Sequence, residues 1–275
     1  MDIVYFGSDV FLPCFEYLQK HHNIKALYTY HNDEDYFTEF EITRRAGELG
    51  IPVHYEAVSP EKTKEYFKNG CELYFVAEYD RIIDIPADLP DFRGINVHSS
   101  ALPEGRSYYP IEAAMDRGLK RTGVTMHKLK PRLDSGEIIA QRRFEITEDM
   151  DSIDVYLRCA AYTREMTEQV FADFESAWSG AKIQSERLPY WKRPETERMT
   201  ITHEMSVFEA LSVFRRYNSL TEVGLENGSY FVRSVSPGRS ELPVPEMQLS
   251  DSLYLYSVRG GHLRLNVHPI KEKEN

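Results

Sequence analysis

The sequence predicts an α/β fold in which a mostly parallel sheet flanked by helices is followed by a small β-rich, barrel-like C-terminal domain. In the first hundred residues, short apolar runs alternate with amphipathic segments of helical spacing. From Thr122 onward the pattern changes, and strand-like segments separated by turns become frequent. The first pattern predicts βαβ units and a Rossmann-like sheet, and the second predicts antiparallel pairing.

The strands of the first domain are predicted from continuous apolar runs, and the helices from apolar residues three or four positions apart. The predicted strands cover residues 3–6, 23–30, 51–55, 73–77 and 94–98, and the predicted helices cover 11–20, 37–49 and 61–68. An acidic, turn-rich loop is expected over 31–35. In parallel sheets, ligands bind beyond the carboxyl ends of the strands, which directs attention to residues 7–9, 78–83 and 98–109.

Later segments predict a hairpin, a long helix and a strand-rich tail. Residues 123–129 and 138–144 pair across the turn at Asp134-Ser135-Gly136, and one helix is expected over 152–176. The tail contains a helix near 206–217 and strands near 230–233, 253–256 and 263–267. We therefore expect a catalytic domain over 1–180, a polar linker over 181–203 and a β-rich domain over 204–275.

Composition limits the class of protein. The 275 residues carry a net charge of −11, which disfavours generic binding to nucleic acid or to anionic membranes. No apolar run reaches the ~20 residues needed to span a bilayer, and the N-terminus lacks the basic region of a signal peptide. The three cysteines are widely spaced, which fits a reducing compartment. We expect a cytoplasmic protein.

The densest group of chemically useful residues lies at the end of the 94–98 strand. Asn96 and His98 are two positions apart, so their side chains share one face of the strand. An imidazole can take a proton from an attacking amine, and a carboxamide can bind an oxyanion. Asp134 supplies a carboxylate that could orient the imidazole. Taken singly, these residues also fit a polar strand end and a common Asp-Ser-Gly turn.

The order and spacing of several motifs resemble the N10-formyltetrahydrofolate-dependent formyltransferases. That family includes methionyl-tRNA, glycinamide ribonucleotide and amino-sugar formyltransferases. The motifs are Asn96-Val97-His98 with Leu102-Pro103, then Arg106 and Pro110, then Thr122-Gly123-Val124-Thr125, and finally Leu133-Asp134-Ser135-Gly136. The resemblance covers residues 1–175 well and the tail more loosely. It implies that Asn96, His98 and Asp134 are the catalytic residues of a formyltransferase.

The resemblance also implies the binding sites. N10-formyltetrahydrofolate is the expected formyl donor, contacted by Tyr79, Arg81, Ile82, Ile83 and Asp134, and no metal is expected. The expected acceptor-binding residues are Ser8, Asp9, Arg106, Tyr108 and Tyr109. Tyrosines follow the loop arginine here, and they could either stack on a ring or pack the loop. Arg106 could face a phosphate or brace the loop.

Three acceptors are compatible with this chemistry. A glycinamide ribonucleotide enzyme resembles the first domain alone, so the tail argues against it. A methionyl-tRNA enzyme needs basic surface, whereas residues 200–275 contain eight basic and nine acidic residues. A nucleotide-linked amino sugar fits the acidic chain and the tyrosine-rich loop. The alternatives are a methionyl-tRNA formyltransferase and a non-catalytic relative that binds folate or a nucleotide sugar. The strand edges of the tail would allow a homodimer.

Overall fold

The computed structural model describes residues 1–31, 40–106, 108–184, 188–238 and 245–270. Most of the predicted acidic loop, the first residues of the helix predicted over 37–49, and Ser107 lie outside these ranges. The chain forms two compact units. The first comprises Met1–Pro110, Lys120–Ile146 and Tyr156–Trp191, and the second comprises Ile111–Leu119, Thr147–Val155 and Lys192–Asn275.

The described part of the first unit contains a mixed sheet. Its strands are β1 (Asp2–Gly7), β2 (Asn23–Tyr28), β3 (Val53–His54), β4 (Leu73–Ala77), β5 (Gly94–His98), β6 (Arg121–Lys128) and β7 (Ile138–Glu145). The spatial order is β3-β2-β1-β4-β5-β6-β7. Neighbours from β3 to β5 pair in parallel, whereas β6 and β7 pair antiparallel. The mostly parallel sheet predicted from the alternating pattern is confirmed.

The helices before residue 180 follow the predicted positions with two exceptions: the helix Pro110–Asp116 was not predicted, and the helix predicted over 152–176 is divided. They are α1 (Leu12–His21), α2 (Glu41–Glu48), α3 (Pro60–Lys68), α4 (Pro110–Asp116), α5 (Ser152–Ala172) and α6 (Phe174–Ser179). The single helix expected over 152–176 is in fact two helices. The carboxylate of Asp173 accepts a hydrogen bond from the amide of Ser176 and caps the second helix, so the chain starts a new helix there.

The continuous apolar runs of β1 and β4 are explained by burial on both faces of the sheet. All five residues of β4 are buried, as are five of the six in β1. Phe6 of β1 stacks on Tyr28 of β2 with ring centroids 5.0 Å apart. Strands buried on both faces lose the alternation of polar and apolar residues, which is why these runs read as uniformly apolar. The polar residues at their carboxyl ends therefore stand out.

The second unit contains a separate strand-rich sheet. Its described elements are α7 (Thr196–Met199), β8 (Thr200–Ile201), α8 (Val207–Tyr217), β9 (Glu222–Leu225), β10 (Gly228–Pro237), β11 (Met247–Gln248), β12 (Leu253–Val258) and β13 (Gly261–Pro269). The strand order is β11-β12-β13-β10-β9-β8. Ser206 and Glu209 form a reciprocal capping box at the start of α8. The β-rich C-terminal domain is confirmed, and its first elements begin within the segment expected to be an irregular linker.

Candidate active site

Asn96, His98 and Asp134 line one cavity of about 140 Å³ in the first unit. Asn96 and His98 lie on the last three residues of β5, and Asp134 lies in the loop between β6 and β7. Nδ1 of His98 is 3.6 Å from Oδ1 of Asp134. The structure therefore brings together the three residues that the motif spacing singled out, at the carboxyl end of a parallel strand.

The surroundings of His98 determine its tautomer. Nε2 lies 2.9 Å from the carbonyl oxygen of Gly105, which can only accept, so Nε2 carries a proton. In the neutral ring, the lone pair is then on Nδ1, the nitrogen that faces Asp134. Burial lowers the pKa of His98, although the Asp134 carboxylate opposes that shift. A neutral His98 thus offers a free basic nitrogen inside the cavity.

Asn96 is oriented by His127, a residue that the sequence analysis did not select. In the antiparallel pair of β5 and β6, His127 lies directly opposite Asn96. Nδ1 of His127 donates to the carbonyl of Lys128 at 2.9 Å, so its Nε2 can accept from Nδ2 of Asn96 at 3.0 Å. This contact directs the carboxamide and leaves its second N–H free. The sequence feature that could have identified His127 is its polar side chain within a strand that is otherwise mostly buried.

The backbone of the Asp134 loop is held by side chains from two other segments. The carbonyl of Asp134 accepts from Nε of Arg106 at 3.1 Å and from Nε2 of Gln184 at 2.9 Å. Gln184 also donates to the carbonyl of Gly136, and Tyr190 donates to that of Leu133. These bonds fix Asp134 in a left-handed conformation, with φ of 50°.

The carboxylate of Asp134 is buried and incompletely satisfied. Burial raises its pKa, but His98, His127 and Arg106 outweigh that effect, so the pKa lies below the usual value. Oδ2 is buried and has no hydrogen-bond donor among the described residues. An ionised carboxylate with an unpaired oxygen is an uncommon arrangement in a protein interior and is typical of functional sites.

The residues predicted to contact the formyl donor line the same cavity. Tyr79, Arg81, Ile82 and Ile83 all contribute to its wall. Nη1 of Arg81 donates to the carbonyl of Tyr55 at 2.8 Å, which holds the segment after β4 against the segment after β3. Ile82 is 67% exposed. An exposed apolar side chain beside a cavity provides a surface on which a flat ring could pack.

Of the predicted acceptor-binding residues, only Tyr108 lines the cavity. Tyr108 lines the cavity and is 64% exposed, whereas Tyr109 is partly buried and lies outside the lining. Arg106 is buried, and its guanidinium group donates to the carbonyls of Asp134 and Leu188 and to Gln184. These contacts favour the alternative in which Arg106 braces the loop.

Ser8 and Asp9 follow β1, also outside the cavity lining. Ser8 is buried. Both carboxylate oxygens of Asp9 accept backbone hydrogen bonds, from Glu41 at 2.9 Å and Ile42 at 2.8 Å. Asp9 therefore stabilises the beginning of α2. Contact of either residue with a substrate stays a prediction.

Within the described ranges, no group of three or more histidine, cysteine or acidic side chains has the arrangement of a metal site. No helix in the same ranges is long and apolar enough to cross a membrane.

The part of the sequence that contains Asn96, His98 and Asp134 matches a known protein family. Residues 44–171 match the family model described as formyl transferase, and that range includes Asn96, His98 and Asp134. The chain carries a formyl transferase domain. The chain is also similar to the methionyl-tRNA formyltransferase of Listeria innocua, with 29% identity over 184 residues. That match covers 62% of this chain and 58% of the relative, so the chain spans a little over half of the relative's length.

Solved structures show the same fold over nearly the whole chain. HypX from Aquifex aeolicus, in its A392F-I419F variant, matches with a TM-score of 0.73 at 16% identity, over 99% of this chain and 45% of HypX. An N-formyltransferase from Helicobacter canadensis, in complex with folinic acid and dTDP-3-aminofucose, matches with a TM-score of 0.61 at 17% identity. That match covers 97% of this chain and 99% of the other. The folds of both units are therefore also found in these proteins.

Proposed function

We propose that this protein transfers a formyl group from N10-formyltetrahydrofolate to the primary amine of a nucleotide-linked amino sugar. The observation that carries this proposal is the arrangement of Asn96, His98 and Asp134 around one cavity within a formyl transferase domain. A carboxamide N–H, a basic imidazole nitrogen and a carboxylate are the groups that acyl transfer to an amine requires.

The proposed mechanism follows from the hydrogen bonds. The amine attacks the formyl carbon, and the oxygen that becomes negative is stabilised by the Asn96 N–H that His127 leaves free. Nδ1 of His98 takes a proton from the attacking nitrogen. The resulting imidazolium is stabilised by the Asp134 carboxylate, 3.6 Å away. His98 then returns the proton to N10 as the bond between the formyl carbon and N10 breaks.

The donor would occupy the part of the cavity lined by Tyr79, Arg81, Ile82 and Ile83. The side of this wall formed by Ile82 is apolar and exposed. A folate ring is flat and partly apolar, so it gains free energy by covering such a surface. The Helicobacter protein is described in complex with folinic acid, which supports a folate donor for this chain.

The amino-sugar acceptor is supported by charge and by the fold of the second unit. The net charge of −11 opposes binding of a polyanionic RNA. The structurally similar Helicobacter protein is described with dTDP-3-aminofucose, and the match includes nearly all of both chains. Tyr108 at the cavity rim would provide a ring or a hydroxyl for a nucleotide or sugar.

Methionyl-tRNA is the second candidate acceptor. It is supported by the names of the sequence relatives, among them the Listeria innocua protein. A tRNA enzyme would show a strong decrease of affinity with salt, because each neutralised phosphate releases counterions.

A thermal-shift panel followed by a transfer assay tests the proposal. The ligands are dTDP, UDP, GDP, methionyl-tRNA and 5-formyltetrahydrofolate, each added to the full chain at fixed protein concentration. A ligand that binds only the native state raises the melting temperature. We expect shifts with the folate and with one nucleoside diphosphate, and then formyl transfer to the corresponding amino sugar. Shifts with the folate and with tRNA alone would show that the acceptor is methionyl-tRNA and not an amino sugar. The absence of a shift with the folate would contradict N10-formyltetrahydrofolate as the donor.

A further inference from the structure

Glu78 is a carboxyl group in the cavity wall that the mechanism above does not use. It follows Ala77, the last residue of β4, and lines the same cavity as the three catalytic residues. In the parallel pair of β4 and β5, Ala77 is opposite Val97, so Glu78 and His98 leave their strands at the same level. Neighbouring strands are about 4.8 Å apart, which brings the backbones of Glu78 and His98 close together.

The backbone at Glu78 is in a conformation that glutamate rarely adopts. Its φ is 61°, in the left-handed region that costs a residue with a Cβ about 1–2 kcal/mol. Glycine would occupy this position without that cost. A strained, charged residue at the wall of a cavity is typical of a functional position.

The carboxyl group also lacks a compensating charge. None of the ion pairs or hydrogen bonds found among the described residues involves its side chain, and burial raises its pKa to about 7. The groups around it are mostly acidic or neutral. Tyr30 and Cys159 interact electrostatically with Glu78. Asp80 and Arg81 follow Glu78 closely in the chain. The other titratable residues of the cavity lining are His98, His127, Lys130 and Asp134.

The cation closest in sequence is directed elsewhere. Arg81 donates to the carbonyl of Tyr55, and its Nε lies 3.7 Å from Asp80. The phenol of Tyr30 is also within electrostatic range of Glu78. Burial, together with the carboxylates of Glu78, Asp80 and Asp9, raises the pKa of Tyr30 to about 12. Glu78 is therefore a carboxylate of the cavity wall with no ion-pair partner among the described residues, and it can pair with a positively charged ligand.

We infer that Glu78 binds the acceptor as its ammonium ion and takes the first proton from it. This inference rests on the proposed function, because a formyl acceptor reaches the enzyme largely protonated and cannot attack in that form. Conversion of an ammonium ion to a formamide removes two protons from nitrogen. Glu78 accepts the first and leaves a neutral amine, and His98 accepts the second during attack and delivers it to N10. Glu78 then releases its proton to water.

The basicity of each group suits the proton that it removes. A carboxylate with a pKa near 7 is basic enough to deprotonate an ammonium ion at neutral pH. His98, whose pKa lies below its ordinary value, stays neutral until the tetrahedral intermediate forms. Two adjacent bases of different strength therefore serve two steps.

The test compares Glu78→Gln, Glu78→Gly and a control, Asp80→Asn, in the full chain. Asp80 is exposed and carries the same charge two positions away, outside the cavity lining. We expect Glu78→Gln to lower kcat/KM for the amine by about 10²-fold at pH 8, as for loss of a general base. Asp80→Asn should keep kcat/KM within about threefold, because exposed charges are screened by water. The amine used is the amino sugar selected by the transfer assay.

The pH profile separates proton transfer from a purely structural role. In the wild-type protein, kcat/KM should fall as the pH drops through about 7, because Glu78 becomes protonated. In Glu78→Gln the limb at about 7 should be lost, and kcat/KM should instead follow the fraction of acceptor that arrives as the free amine. The limb of the variant should therefore lie at the pKa of the acceptor ammonium ion. The difference between the two proteins should therefore narrow above the pKa of the acceptor ammonium ion, where Glu78 is no longer needed to remove the first proton. An unchanged limb near pH 7 in the variant would overturn the inference.

Stability gives a readout that does not depend on turnover. Glu78→Gly should raise the melting temperature by about 2–4 °C, since removing a strain of about 1 kcal/mol has that effect in a protein of this size. Its activity should fall as in Glu78→Gln. A lower melting temperature in both variants would indicate a structural role and would contradict the inference.

The experiment also distinguishes this inference from the proposed function. An inactive Asn96→Ala beside a fully active Glu78→Gln would overturn only the role of Glu78. Weakened binding of 5-formyltetrahydrofolate in Glu78→Gln, with the KM for the amine unchanged, would assign the carboxylate to the donor instead. Failure of the wild-type protein to formylate any amine in the panel would overturn both.

Discussion

The centre and the rim of the cavity differ in how firmly the protein holds them. His98 and Asp134 are 7% and 4% exposed, and each is held by hydrogen bonds that involve the backbone. Ile82 and Tyr108, on the rim, are 67% and 64% exposed. The centre is thus built for one geometry, whereas the rim can change its side chains without disturbing the fold. Chemistry should depend on the centre, and choice of acceptor on the rim.

The strongest test of this comparison is Asn96→Ala. Removing one oxyanion donor typically costs about 10²–10³ in kcat, and we expect that loss here. Because the side chain is only partly buried, the fold should persist, as checked by circular dichroism and the melting temperature. Retention of more than about a tenth of wild-type turnover would remove Asn96 from the mechanism.

Asp134→Asn tests the electrostatic part of the centre. Asparagine also tolerates a left-handed backbone, so the loop should keep its shape. We expect kcat to fall about 10²-fold because the imidazolium loses its counter-charge. The Asp134 carboxylate raises the pKa of His98, so its removal should shift the acidic limb of His98 to lower pH. A limb that moved to higher pH would contradict this assignment.

His127 extends the centre by one residue and should have an intermediate effect. In His127→Leu, Asn96 loses the acceptor that orients it, so kcat should fall about tenfold while KM for both substrates stays unchanged. His127→Gln carries a carbonyl that can accept from Asn96 and should restore part of the loss. Equal activities in the two variants would show that His127 only fills space.

Tyr108→Ala should have the smallest effect, because Tyr108 is on the rim. We expect the free energy of unfolding to stay within about 0.5 kcal/mol of the wild-type value. KM for the acceptor should rise about three- to tenfold if the ring is a contact, which corresponds to about 0.6–1.4 kcal/mol. Tyr108→Phe separates the ring from the hydroxyl. A larger fall in kcat than in affinity would place Tyr108 in the centre instead.

Local patterns predicted most of the fold. The strands Leu73–Ala77 and Gly94–His98 were predicted with their observed bounds, because both are largely buried and a polar residue lies at or directly after the end of each. The break between α5 and α6 was missed because Asp173 can continue a helix or cap one, and the apolar periodicity does not distinguish these.

The residues of the candidate site could be predicted where a sequence motif lies at the end of a predicted strand. Residues whose role depends on contacts between segments distant in sequence could not be predicted. Asn96, His98 and Asp134 were identified because their residue types and order resemble a known family. His127 was missed because its role depends on register across two strands. The hydrogen bonds of Asp9 to α2 join residues more than thirty positions apart, which no local pattern encodes.

The brace around the Asp134 loop has a consequence for how this unit can be divided. Gln184 and Tyr190, which hold the carbonyls of Leu133, Asp134 and Gly136, lie beyond the boundary expected at residue 180. A fragment cut at that boundary would contain Asn96, His98 and Asp134, yet the loop would exchange those bonds for water. Transplanting this chemistry into another protein would therefore require carrying the chain through Trp191, where the first unit ends.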